Sequence, residues 1–105
     1  MILSVIAVSL MLPAQLPAAT QRHQFATCLR TFTNEKVQAR MPAAEFETAL
    51  AAACREQEAA YRTAYVAAAI RTGDSRSRAE QDANIEVEDL RTNFRGLFQE
   101  PPAPD

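Results

Sequence analysis

From Phe25 onward the apolar residues of this chain recur at intervals of three and four, the spacing that keeps side chains on one face of an α-helix. Phe25, Cys28, Leu29 and Phe32 form a first narrow stripe that fades near Thr33 and Asn34. Met41–Pro42 then marks a turn, because the residue before a proline is pushed out of the helical region. Pro42 can itself occupy the first turn of the helix that follows. That second helix is expected from about Pro42 to Thr72, ending at Gly73, which suits a left-handed cap. At 100° per residue its main stripe holds Phe46, Leu50, Ala53, Cys54, Tyr61, Ala64, Tyr65 and Ala68. Arg55, Glu58 and Arg62 face away, and Glu58 and Arg62 stand one turn apart in the favourable order for an ion pair.

A third helix is expected to start at Asp74 or Ser75, either a good N-cap. Its stripe is Ala79, Ala83, Val87, Leu90, Phe94, Leu97 and Phe98. Pro101, Pro102 and Pro104 forbid continuation, and residues 101–105 read as a disordered tail. Strand patterning is lacking, with no sustained alternation and only two glycines. The expected class is therefore all-α: an antiparallel helical hairpin with a third helix folded back along the second, like a three-helix bundle, over residues 20–100.

The opening nineteen residues carry no charge. Ile2 to Leu12 is an apolar run, Pro13 breaks it, and Ala18 and Ala19 supply small side chains, the order of a secretory signal peptide over residues 1–19. Cleavage is expected after Ala18 or Ala19, although no Lys or Arg precedes the run and Leu16 or Pro17 would hold the third position before the cut. An eleven-residue run is too short to span about 30 Å of hydrocarbon, so no stable membrane span is expected once the signal is removed. The expected location is periplasmic or extracellular. Arginine supplies ten of the eleven basic residues and alanine is abundant, a usage typical of GC-rich bacterial genomes.

Export changes how the two cysteines are read. In an oxidising compartment Cys28 and Cys54 are expected to form a disulfide. They lie thirteen residues either side of Met41. Two antiparallel helices turning there would carry both cysteines to the same height, about 20 Å from the turn. The same register sets Leu29 beside Ala53 and Phe32 beside Leu50. The spacing is not that of a CxxC redox motif.

Net charge is −2 with both signs mixed along the chain, which argues against nucleic acid as a partner. Candidate chemistry is sparse. His23 stands near the mature N-terminus without an orienting partner in the sequence, and a zinc site from His23, Cys28 and Cys54 would consume the disulfide and still want a fourth ligand. Glu86, Glu88 and Asp89, followed by Arg91 and Arg95, read as a solvated helix face. Tyr61 and Tyr65, one turn apart, read as packing rather than as a ligand wall. No cofactor and no catalytic residue is expected.

One pattern exceeds what a single core face requires. Ala52, Ala59, Thr63, Val66 and Ile70 make a second stripe on the second helix, roughly opposite the first, with the spacings of a helix–helix seam. The plainer expectation is that the third helix covers it. The sharper one is a free interaction face, for self-association or for another protein's helix. The functional expectation is accordingly a non-enzymatic protein-binding module of the bacterial envelope, with a self-associating structural protein as the alternative.

Overall fold

The computed structural model describes residues 16–99, so the apolar run at the N-terminus and the proline-rich tail lie outside the described residues. Every regular element among them is helical: α1 Ala18–Gln38, α2 Ala43–Ala52, α3 Arg55–Arg71 and α4 Arg76–Gln99. The turns fall where the sequence places them. Arg40 adopts a left-handed φ of 55° between α1 and α2, and Pro42 precedes α2 at its N-cap. Gly73, at φ 107°, follows the C-cap of α3. Ser75 caps α4, its hydroxyl oxygen accepting the Arg78 amide at 3.2 Å. Ala18 and Ala19, the expected cleavage positions, form the start of α1.

The single helix expected over Pro42–Thr72 is two helices, and the architecture has four elements rather than three. Ala53 is extended (φ −77°, ψ 147°) and Cys54 is left-handed (φ 60°, ψ 37°). No glycine or proline lies between Ala43 and Arg71, so local propensity does not make this break. Tertiary contacts do. Cys54 is bonded to Cys28, with their Cα atoms 6.1 Å apart. The guanidinium of Arg91 also holds the carbonyls at the end of α2: Nη1 donates to Leu50 O, and Nη2 donates to Ala53 O at 3.0 Å. In an unbroken helix those two carbonyls would instead receive the amides of Cys54 and Gln57.

The break lets α1 and α4 run the length of the molecule while α2 and α3 fill successive halves beside them. α1 packs against α2, α3 and α4, and α4 packs against both α2 and α3. One core runs through both halves, built from Phe25, Leu29, Phe46, Leu50, Tyr61, Val87, Leu90 and Phe94. Each such side chain, taken from water, contributes about 1.5–3 kcal/mol. In the α2 half, the Phe46 ring stacks on Phe98 at 3.8 Å between centroids and lies 5.9 Å from Phe32. In the α3 half, Phe25 and Tyr61 meet at 6.3 Å. The 26-residue separation of the bonded cysteines corresponds to about 3.5 kcal/mol in the chain-entropy account.

The apolar stripes need small corrections at their edges. Gln21 and Thr33 are buried on α1, whereas Cys28 and Phe32 are half-buried. Leu97, expected in the core, is 40 % exposed because Phe98 takes the inward position against Phe46.

Candidate functional site

Three features beyond the core carry side chains that chemistry can use: a buried arginine at the α2–α3 break, a groove between α3 and α4, and the surface around the disulfide.

Arg91 is the buried cation. It follows Val87 by four residues and precedes Phe94 by three, so it rises from the apolar side of α4 into the interior. Besides the two α2 carbonyls, its Nε and Nη2 both donate to Glu58 Oε1, at 3.1 and 2.7 Å. Its guanidinium carbon lies 5.2 Å from the centroid of the Phe25 ring. Glu58 is held from the other side by Arg62, whose Nε reaches Glu58 Oε2 at 3.2 Å. Burial acts to raise the Glu58 pKa, but hydrogen bonds and charge from Arg91 and Arg62 together outweigh it, leaving the carboxyl below its ordinary 4.5. The cluster is therefore a charge-satisfied brace between α3 and α4. The sequence reading missed it by taking Arg91 as part of a solvated face; its place between Val87 and Phe94 was the available signal.

The groove lies on the face of the α3–α4 pair away from Tyr61 and Ala64, which are buried toward the core. It has a volume of about 500 Å³. Arg62, Thr63, Val66, Ala67 and Ile70 line it from α3, and Arg76, Glu80, Ala83 and Asn84 from α4. Arg62 closes one end by donating from Nη1 to Asn84 Oδ1 across the helix pair. Arg76 and Glu80 pair at 3.9 Å on the opposite rim. The second stripe of the sequence thus meets the groove through Thr63, Val66 and Ile70. α4 packs beside that stripe rather than over it: Ala52, Ala59 and Thr63 are exposed, Ile70 is 37 % exposed, and Val66 is half-buried. The expectation that the third long helix covers Thr63 is corrected here, because Arg62 and Glu58, reaching Asn84 and Arg91, set α4 to one side.

The disulfide lies beside a shallow depression lined by His23, Gln24, Thr27, Cys28 and Gln57. His23 is exposed there. Among the described residues, no group of three or more His, Cys, Asp or Glu side chains is placed to hold a metal ion. Tyr61 is buried and Tyr65 packs against the core, their rings edge to face at 6.1 Å. Desolvation, reinforced by the Glu86 carboxylate, raises the Tyr61 phenol above its ordinary 10.0, against a smaller opposing influence of Arg22. Glu88 and Asp89 face solvent. No helix among the described residues is long and apolar enough to cross a membrane. Comparisons with family models, with curated proteins and with solved structures found no match to this chain.

Proposed function

We propose that this chain is a non-enzymatic binding module of the bacterial envelope, periplasmic or extracellular, that receives a helix of another protein along the groove between α3 and α4. The observation carrying this reading is the second stripe, whose Thr63 and Ile70 stay exposed beside a groove although the core is complete without them. The charges around the groove are engaged with neighbours, Arg62 with Glu58 and Asn84, Arg76 with Glu80. Mutually paired charges at a rim suit recognition better than proton transfer. A disulfide and the lack of a membrane-crossing helix among the described residues are compatible with the location.

A second reading is favoured by the exposed Ala59 and Thr63, one turn apart on α3, whose small side chains would let a second copy's helix approach closely, giving a self-associating structural protein. Site-specific photo-crosslinking in the native host separates the two. A photoreactive residue at Thr63 is expected to give one discrete heterologous adduct, while the same residue at exposed Thr92 on α4 gives none. An adduct of twice the chain mass selects the second reading, and equal labelling from both positions refutes both. Mass spectrometry of the same material is expected to find a mature chain beginning at Ala19 or Thr20. A full-length cytosolic product as the main species would overturn export.

A further inference from the structure

The break between α2 and α3 is held from outside, by a covalent bond that a thiol can reach. Residues 50–58 read LAAACREQE, a run of strong helix formers around one cysteine. Within it Cys54 sits at φ 60°, a conformation an L side chain takes at a cost, and its cap position makes no side-chain hydrogen bond. The break is also unnecessary for burying the core face. In one continuous helix Phe46, Leu50, Tyr61 and Ala64 fall within about 60° of one another, so the four would still face inward together. Meanwhile Cys28 and Cys54 are half-buried rather than enclosed, and Cys28 borders the open depression beside His23 and Gln57.

We infer that the Cys28–Cys54 disulfide is a redox-sensitive lock on the α2–α3 break, and that its reduction joins residues 43–71 into one continuous helix. The reductant is a dithiol. One of its thiolates attacks Sγ of Cys28, the Cys28–Cys54 bond breaks, and Cys54 leaves as a thiolate. The second thiol of the reductant displaces Cys28 and closes the reductant's own disulfide. Two electrons pass to the protein, and the two protons of the dithiol end on Cys28 and Cys54. With Cys54 released, its backbone returns to the right-handed region. The carbonyls of Leu50 and Ala53 then pass from Arg91 to the amides of Cys54 and Gln57. Arg91 keeps Glu58, the partner it holds with two donors. Straightening swings α2 relative to α4, so the Phe46–Phe98 stack is the contact that answers the redox state.

The test compares the intact chain, oxidised and after dithiothreitol, by NMR, with both free thiols verified by alkylation and mass. Reduction is expected to move the Cα shifts of Ala53 and Cys54 to helical values and to slow exchange of the Cys54–Gln57 amides at least tenfold. Two variants remove the bond without a reductant. Cys54→Ala, which disfavours the left-handed conformation, and Cys54→Ser are both expected to show the continuous helix. A Cys54 that stays left-handed once both thiols are free overturns the inference. So does a break retained in Cys54→Ala, which would make Arg91 sufficient to hold it. Global unfolding on reduction, with loss of dispersion throughout the spectrum, overturns it too, since the bond would then hold up the whole fold.

Discussion

A buried guanidinium is stable only when its donors are used, and Arg91 uses them on Glu58 and on two backbone carbonyls of α2. Arg91→Met would fill similar volume while leaving Leu50 O and Ala53 O without this donor and Glu58 with Arg62 alone. Such a loss is expected to cost about 3 kcal/mol in urea unfolding, by analogy with removing one partner of a buried pair. A change below about 0.5 kcal/mol would show that the brace is incidental. Glu58 adds a pH dependence whose sign follows from its lowered pKa. A carboxyl with a folded pKa below its unfolded one contributes stability that is present above the unfolded value and lost as pH falls through the folded value. The melting-temperature advantage of wild type over Glu58→Gln is thus expected to hold near neutrality and shrink as pH drops below 4.5. An advantage that grows on acidification would contradict this account.

At the scale of the elements, the two chain reversals solve one steric problem differently. Gly73 takes its φ of 107° without a Cβ, and a Cβ built there would meet nothing within 4 Å. Gly73→Ala therefore meets no clash but forces an L side chain into a strained φ, an expected destabilisation of about 1–2 kcal/mol. Arg40 occupies the corresponding left-handed position after α1 with a full, exposed side chain. Arg40→Gly relieves that conformation but loosens the unfolded chain, so a gain of no more than about 1 kcal/mol is expected. Thermal melts of the pair check the argument, since it requires opposite signs. These reversals were legible in the sequence because proline and glycine act through their own backbones. The left-handed Cys54 was not, because cysteine carries no such preference and its conformation comes from Cys28 and α4.

For the whole molecule, the deciding question is what lies against Thr63. Because Thr63 is exposed, Thr63→Glu is expected to leave the monomer's stability within about 0.5 kcal/mol of wild type. It should abolish any complex that seats a helix in the groove, because a charge without a partner is poorly tolerated at the centre of an interface. Thermal melts with sedimentation of wild type and variant check both halves; a monomer that melts well below wild type would mean that Thr63 is covered by its own chain. Helical class, the reversals at Met41–Pro42 and Gly73, a cap at Asp74 or Ser75 and the matched heights of Cys28 and Cys54 follow from the sequence by itself. Each is set by local periodicity or by the stereochemistry of one residue. The division of α2 from α3, the burial of Arg91 and the exposure of Thr63 were decided only in the tertiary structure. Their causes are contacts distant in sequence: the Cys28–Cys54 bond and Arg91, which takes backbone acceptors 38 and 41 residues away, at the break, and Arg62 and Glu58, reaching Asn84 and Arg91, beside Thr63; no window of local sequence has access to such pairings.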